Sequence, residues 1–298
     1  MLEDHLDGLS FRALGDKYGV SKTTAWEVCH KRLKGLPDNN KFSHKYCRRY
    51  SGVLMPDGKY FSVKGYKHGA CLLWGVDYFK HDFPVMLVAP SENFQSWGKF
   101  FFLWKLLGHH FDVVVCDDNK SLKDAARRHF PKVHIQTCYN HLKEGIRRDL
   151  NIRSREDFRG FFAQIQEALD TTKRVNPEYR RKLLFEVFSN MSSDISIEQM
   201  EVLNKLQAME DEMFNYTKIP KTPMTTNLIE GFNSHLEARL ASIKSFNSIE
   251  HAQLWMNGYV LKRRFTKFKE CSGRFRFLNG QRPIDQTKNP DLDIPILF

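Results

Sequence analysis

The sequence predicts an α/β protein with a mixed sheet, flanking helices, an all-helical insertion and an N-terminal pair of short helices. Three observations predict this fold class. Apolar segments of period two between residues 50 and 88 are separated by turn residues, as in hairpin-linked strands. Strand-like and helix-like segments then alternate from 93 to 149, which is typical of parallel α/β units. Residues 142–222, in contrast, show only helical periodicity.

The composition favours a polyanionic partner. The chain has 298 residues and a formal charge of +11. Ten Lys and Arg but only two acids lie between Arg239 and Arg282, so +8 of that charge falls in one segment. A local excess of this size predicts contacts with phosphates.

The cysteine pattern and the hydropathy indicate a soluble cytoplasmic protein. Six cysteines form no Cys-x-x-Cys pair and no compact framework, which suits a reducing compartment. Glu3 and Asp4 near the start argue against a signal peptide. The longest apolar run, residues 100–107, is too short to cross a membrane. We therefore expect no membrane association.

The first 36 residues predict a helix-turn-helix. Ser10 and Ser21 can cap two helices, and Gly19 suits the tight turn between them. The second helix would present five side chains to a major groove: Lys22, Thr23, Thr24, Trp26 and His30. The alternative is an ordinary helical hairpin within a larger core. The polar segment 37–49, which contains Pro37, predicts a linker.

Asp57 lies between the first two predicted strands, Val53–Met55 and Lys59–Val63. The intervening Pro56-Asp57-Gly58 has the composition of a turn. On this local pattern alone, a turn residue is the favoured interpretation of Asp57.

Asp117 and Asp118 end a buried strand, Val113–Cys116. Ligand sites of open α/β sheets lie at the carboxyl ends of strands. An isolated Asp there is more often a turn residue or a helix cap. Adjacent residues of an extended segment point to opposite faces, so only one of the two can join a given site. The other could cap the helix that starts near Ser121 or act from outside the site.

Beyond the predicted insertion, a helix beginning near Thr226 carries Glu230 between Asn227 and Asn233, three residues away on either side. Its default interpretation is a solvated Glu in a first turn. A second helix, 248–264, ends in Lys262, Arg263 and Arg264, which we predict to contact phosphates. The insertion is broken at 171–177 and 189–196, and the tail after 265 is predicted to be partly extended.

Five segments, taken together, resemble the DDE transposases of the Mutator-like type and their bacterial insertion-sequence relatives. They are DGKY (57–60), PSENFQSWGKFF (90–101), CDDNKSL (116–122), FPKVHIQTCYNH (130–141) and TTNLIEGFNSHL (225–236). Their order and the helical insertion before the last segment match that family. The resemblance covers residues 50–262.

The resemblance implies an RNase H-like core in which Asp57, Asp117 and Glu230 are catalytic and bind two Mg²⁺ or Mn²⁺ ions. Asp118 takes a position where the family usually has a small residue. It further implies cleavage of transposon ends in double-stranded DNA, strand transfer to target DNA, and a homodimer or larger assembly bound to the nucleoid. Cys138 and His141, with Asn227 and Asn233, are predicted to support the site structurally, because two such ligands are too few for a zinc site.

The predicted organisation has six parts: a helix-turn-helix domain (1–36), a linker (37–49), the first part of the catalytic core (50–150), a helical insertion (151–222), the second part of the core (223–265) and a basic tail (266–298). The competing interpretation is a helix-turn-helix regulator with a ligand-sensing α/β domain. It explains the N-terminus and the charge but gives the three acids no shared role.

Overall fold

A computed structural model describes residues 1–172, 176–189 and 195–298. Its centre is a five-stranded mixed sheet in the order β3-β2-β1-β4-β5. The strands are β1 Val53–Phe61, β2 Ala70–Asp77, β3 Met86–Ala89, β4 Val113–Cys116 and β5 His134–Thr137. The predicted mixed α/β architecture is confirmed.

Strand direction brings four carboxyl ends to one edge. β2 is antiparallel to both β1 and β3, whereas β4 is parallel to both β1 and β5. Strands β1, β3, β4 and β5 therefore run the same way, and we call the edge where they end the carboxyl edge. Ligand sites of open α/β sheets lie at such edges.

Fourteen α-helices fall within the described residues. They are α1 Leu2–Leu6, α2 Phe11–Tyr18, α3 Lys22–Gly35, α4 Asn39–Tyr46, α5 Phe94–Leu106, α6 Lys120–His129, α7 Tyr139–Asp149, α8 Arg159–Ala168, α9 Pro177–Ser189, α10 Ile197–Ala208, α11 Glu210–Phe214, α12 Asn227–Leu240, α13 Ile249–Phe265 and α14 Pro283–Thr287. None of the described helices is long and apolar enough to span a bilayer.

Helices cover the sheet on both faces. The alternation of β4 shows the two sides: Val113 and Val115 join a core with α12 and α13, and Val114 and Cys116 join a core with α5 and α6. A strand that is buried on both faces is expected to be apolar throughout, as β4 is. We call the face of the sheet that α12 and α13 cover the α12 side, and the face that α5 and α6 cover the α5 side.

The predicted turn at Pro56-Asp57-Gly58 is wrong, because these residues lie inside the continuous strand β1. Pro56 pairs with Gly75 and Asp57 with Trp74 of β2. β4 pairs with β1 only at Val53 and Leu54. Beyond Leu54, β1 therefore has a strand neighbour on one side only, and a proline is tolerated where no ladder bond is required.

The N-terminal helices share the core of the sheet. Ser10 and Ser21 cap α2 and α3 through their side chains, and Gly19 adopts the left-handed conformation between them (φ 66°). Leu6 and Leu33 are buried in the same cluster as the α12 side. The predicted helices are therefore present, but they pack on the rest of the chain and do not form a separate core.

The segment predicted as a linker contains α4. The side chain of Asp38 caps this helix. The Asn39 side chain is buried and donates to the carbonyl oxygens of Phe83 and Pro84, while its backbone N–H donates to Asn257. This segment therefore connects α3 to β1 as a packed element, which its polar composition did not indicate.

The helical insertion has a core of its own, built from α7 to α11. In the described part of residues 151–222 every regular element is helical, as expected. The predicted breaks at 171–177 and 189–196 fall partly outside the described residues. The insertion is joined to the sheet by Lys123 of α6, whose ammonium lies 2.6 Å from Asp118 and 2.6 Å from Glu212 of α11.

The tail after α13 is packed as far as Thr287, whereas residues 289–298 contain no helix or strand. A 3-10 helix, Gly273–Leu278, precedes α14. Ile284 and Thr287 are fully buried. The Thr287 carbonyl accepts from the backbone N–H groups of Arg48 and Arg49, which fixes the tail beside the start of β1.

Candidate active site

Asp57 and Asp117 lie near each other at the carboxyl edge. Asp57 is on β1, and Asp117 directly follows β4, close enough for its charge to raise the pKa of Asp57. By strand alternation Asp57 shares its side with Val53 and Asp117 shares its side with Val115. Both carboxylates therefore face α12.

Asp57 is half-buried and fixed by two hydrogen bonds. Its Oδ1 accepts from the Gly58 N–H at 2.8 Å, and its Oδ2 accepts from Asn233 Nδ2 at 2.5 Å. The pKa of Asp57 is raised to about 6, chiefly by burial and also by the nearby charge of Asp117. The hydrogen bonds and the positive field of His141 oppose that rise. A carboxylate in this position is costly to ionise without a cation.

Asp118 points away from this pair. Its carboxylate forms ion pairs with Lys123 at 2.6 Å and with Lys205 at 3.6 Å. The predicted capping role is wrong, because the side chain of Asn119 caps α6 by accepting from the Leu122 N–H at 3.1 Å. The two adjacent acids therefore serve different elements, as the alternation of an extended segment requires.

One face of α12 lies over the site. Asn233 donates to Asp57 and accepts from the Trp74 indole N–H at 2.9 Å, which fixes the orientation of its amide. Glu230 lies one turn earlier, and Asn227 lies one turn earlier again, where it accepts from Asn140 at 2.9 Å. The predicted polar face of this helix therefore contacts β1, β2 and α7.

Glu230 is held by a network at the start of α7. The Thr226 hydroxyl lies 2.6 Å from Glu230 Oε1, 3.2 Å from His141 Nδ1 and 3.2 Å from Cys138 Sγ. Hydrogen bonding to Cys138 raises the pKa of His141 to about 9, and Glu230 and Asp117 add to this effect. Burial raises the pKa of the Cys138 thiol, but bonds from His141 and Thr226 outweigh it and leave that pKa below its ordinary value.

Cys138, His141 and Glu230 form a group of potential metal ligands whose atoms lie within 4.8 Å of one another. The prediction from sequence counted only two ligands, because Glu230 is distant along the chain. The Thr226 hydroxyl, however, occupies the space among the three atoms. The group is therefore satisfied by hydrogen bonds, and the three side chains position one another.

Glu92 is an acid that the sequence reasoning missed. It lies three residues after β3, at the carboxyl edge, and its Oε2 accepts from Asn119 at 3.3 Å. Burial raises the pKa of Glu92 to about 7, and Asp57 and Asp117 contribute to this rise. The sequence could have indicated Glu92 through its position just before α5, but we interpreted that segment only as the start of a helix.

The chemistry of this edge suits a hard divalent cation. Among the residues described, no lysine or arginine forms an ion pair with Asp57, Glu92 or Asp117. Mg²⁺ prefers carboxylate oxygens and water. Two ions about 3.5–4 Å apart need carboxylates spread around them, so the acids need not touch one another. The residues present therefore fit such ions.

The predicted DNA-facing residues of α3 are largely exposed. Lys22, Thr23 and Trp26 line a groove of about 640 Å³ together with the segment that joins α12 to α13. Thr24 is exposed as well, and Trp26 stacks on His30 with ring centroids 5.0 Å apart. These placements leave the residues accessible to a ligand.

The basic end of α13 is placed differently from the prediction. Arg264 is fully buried and forms a bidentate ion pair with Asp82, with both bonds at 2.8 Å. Lys262 pairs with Asp7, and the Arg263 guanidinium lies 4.8 Å from the ring centre of Phe232. Arg264 therefore cannot contact DNA, and the other two cations already have partners.

The fold and site define an α/β protein with a cluster of carboxylates, facing a polar helix, at the carboxyl edge of a mixed sheet. The sequence profile described as "Transposase, Mutator family" matches residues 81–269. The match covers Asp117 and Glu230, while Asp57 lies outside it. The chain belongs to the Mutator family of transposases. A search of curated proteins finds no match to it.

Proposed function

We propose that this transposase binds transposon ends in double-stranded DNA, cuts them and joins the freed 3′ ends to target DNA. In this proposal the sheet and its helices are an RNase H-like core. Asp57, Asp117 and Glu230 are the catalytic acids and hold two Mg²⁺ or Mn²⁺ ions.

The observation that supports this most is the convergence of three distant acids. Asp57 and Asp117 lie at the carboxyl edge, near enough for the charge of Asp117 to raise the pKa of Asp57, and Glu230 is one turn from the Asn233 that bonds to Asp57. The separations along the chain are 60 and 113 residues. Among the described residues no lysine or arginine pairs with these three acids; the Asn233 amide bonds to Asp57, and the Thr226 hydroxyl and the His141 imidazole contact Glu230.

When bound, the divalent ions would supply Lewis-acid stabilisation of the attacking and leaving oxygens of the phosphodiester. The protein's own residues set the geometry around them. Asn233 orients Asp57, while Thr226 and His141 orient Glu230. Asn119 caps α6 and donates its backbone N–H to Asp117 at 3.2 Å, so it fixes the turn that presents this acid.

DNA binding is assigned to α2 and α3 as a helix-turn-helix. Lys22, Thr23 and Trp26 are exposed and can reach a duplex, and Trp26 stacks on His30. Two transposon ends are brought together in a strand-transfer reaction, so the proposed active form is a dimer or a larger assembly on DNA. The regulator interpretation is not favoured, because the family match identifies a transposase.

The test compares Asp117→Asn with Asp118→Asn on a short duplex that carries the inverted repeat flanking this gene. Cleavage is measured across a magnesium titration. Asp117→Asn is expected to abolish cleavage at every metal concentration, because it removes an anionic ligand. Asp118→Asn is the matched control and is expected to cut, with at most a higher magnesium requirement.

If Asp118→Asn is inactive at all metal concentrations while Asp117→Asn still cuts, the assignment of the second acid is inverted. If wild-type protein binds the repeat but never cuts it with Mg²⁺ or Mn²⁺, the proposed function is wrong and the regulator interpretation replaces it.

A further inference from the structure

We propose that Glu92 is a fourth acid of the active site and contacts the divalent ion that Asp57 and Asp117 hold. This inference rests on the proposed function, since it adds a ligand to the same site. It assigns a direct role to the segment between β3 and α5, for which the resemblance to the family had implied no catalytic residue.

The topology of the sheet brings Glu92 to the site. β3 runs in the same direction as β1 and β4, so a residue that follows β3 lies at the same edge as Asp57 and Asp117. The Glu92 backbone N–H donates to the Tyr60 hydroxyl at 3.1 Å, which ties the segment to β1 three residues beyond Asp57.

Gly58 leaves the space that the Glu92 carboxylate fills. A side-chain carbon added at Gly58 would overlap the carboxylate of Glu92. Gly58 is the immediate neighbour of Asp57, and its N–H donates to Asp57 Oδ1. A side chain there would therefore displace the Glu92 carboxylate, which gives the glycine a reason to occupy the middle of a strand where it weakens packing.

Asn119 connects Glu92 to Asp117. Its side-chain amide donates to Glu92 Oε2 at 3.3 Å, and its backbone N–H donates to Asp117 Oδ1 at 3.2 Å. A single residue thus holds two carboxylates beside each other. An arrangement that concentrates negative charge in this way is costly unless a cation completes it.

Glu92 forms no ion pair in the part of the chain that the structure describes. In that part, the ion pair of the site joins His141 to Glu230, 3.8 Å apart. His141 lies in the first turn of α7, whereas Glu92 precedes α5 by two residues. Glu92 therefore has polar neighbours but no positive side chain, and a divalent ion supplies the missing charge.

The experiment measures Mn²⁺ binding to the full-length protein without DNA, by electron paramagnetic resonance of the free ion. The variants are Glu92→Gln, Gly58→Ala and their combination. Glu92→Gln is expected to weaken Mn²⁺ binding roughly 10–100-fold, the range found when groups around a metal site are replaced. Gly58→Ala should weaken it as well, and the double variant should add little to either single change.

Two reference variants accompany these. Glu144→Gln changes the same charge on the exposed side of α7, where Glu144 pairs with Arg147, and it should bind Mn²⁺ like wild type. Asp57→Asn reports on the proposed site itself. Cooperative thermal unfolding in a chelator shows that each variant is folded.

If Glu92→Gln and Gly58→Ala bind Mn²⁺ as tightly as Glu144→Gln while Asp57→Asn has lost binding, the role of Glu92 is overturned and the proposed function stands. If Asp57→Asn also binds like wild type, or if wild-type protein binds no Mn²⁺, the proposed function fails together with the inference.

Discussion

At the scale of single residues, the site contains acids that form no ion pair with a lysine or arginine of the described residues. Asp57 shows this most clearly, because burial raises its pKa to about 6 while its hydrogen bonds come from an amide and a backbone N–H. Such a residue lowers the stability of the metal-free protein. The same property makes it a ligand that gains from a cation.

Asp57→Asn is therefore expected to stabilise the metal-free protein at pH 8. Between the ordinary pKa of 3.8 and about 6, the unfolded chain ionises this group while the folded chain keeps it protonated, so stability falls as the pH rises through that window. A shift of about two pKa units corresponds to at most about 3 kcal/mol. Thermal unfolding in a chelator should show this gain at pH 8 and none near pH 4.

Asp118→Asn serves as the control, because it is expected to change the stability in the opposite direction. It removes an ion pair from Lys123, which is nearly buried, so it should destabilise the protein at pH 8. A loss of stability in Asp57→Asn at pH 8 would contradict the assignment of Asp57 as an ionised group without a basic partner.

The residue identities of the proposed site were predictable, but their partners were not. Asp57, Asp117 and Glu230 came from motifs and their order along the chain. Glu92 and the Thr226 network depend on contacts between residues that are 27 to 88 positions apart in the chain. A single sequence shows which side chains are acids but not which strands end at the same edge.

At the scale of elements, the end of α13 shows how charge alone misleads. Three consecutive basic residues predicted a phosphate-binding surface, yet Arg264 is enclosed by Asp82, Asn39, Ser43 and Cys47. All five of its donors are satisfied there. Every residue of α13 from Trp255 to Leu261 is buried, so a cation that continues this buried part of the helix must find an internal partner.

Arg264→Ala is expected to destabilise the protein by roughly 3–5 kcal/mol, because it leaves Asp82 buried and unpaired. Chemical denaturation measures this loss. Lys262→Ala is the matched control on the same helix, two residues away and paired near the surface with Asp7, and it should cost less than about 1 kcal/mol. Equal effects of the two changes would show that Arg264 is not a structural residue.

β1 illustrates the same limit for strands. Pro-Asp-Gly is a strong turn signal, yet here it continues a strand. The strand tolerates the proline because β4 pairs with β1 over only two residues and leaves that edge free at Pro56. Whether a strand has a neighbour on both sides is a property of the sheet. Local composition could not reveal it, although it did predict the other strands closely.

At the scale of the whole molecule, the N-terminal helices and the tail are integrated with the sheet. Leu6 and Leu33 pack against α13 at Gly258, where an added side-chain carbon would meet both leucines. The helices and their caps were predictable from local signals, because Ser and Gly act within one turn. Their docking on the core was not, since it depends on the shape of α13.

DNA binding should therefore be tested by surface changes and not by deleting the first 36 residues, which contribute to the core. Lys267, Lys269 and Arg276 are exposed and form no ion pair within the described ranges. Replacing all three with Ala should reduce the slope of log affinity against log salt by about one unit per lost contact. An unchanged salt slope in the triple variant would show that the tail does not contact DNA. Lys22→Ala should weaken binding to the transposon end.

The central claim is that three convergent acids give this Mutator-family transposase a metal-dependent active site. The most direct measurement is the joining of a pre-cut transposon end to a supercoiled plasmid by Asp57→Asn, Asp117→Asn and Glu230→Gln proteins, beside wild type and Glu144→Gln. We predict joined products with wild type and Glu144→Gln in Mg²⁺, none in a chelator, and none with any of the three site variants. Joining by a folded site variant at the wild-type rate, or by wild type without a divalent ion, would contradict the account.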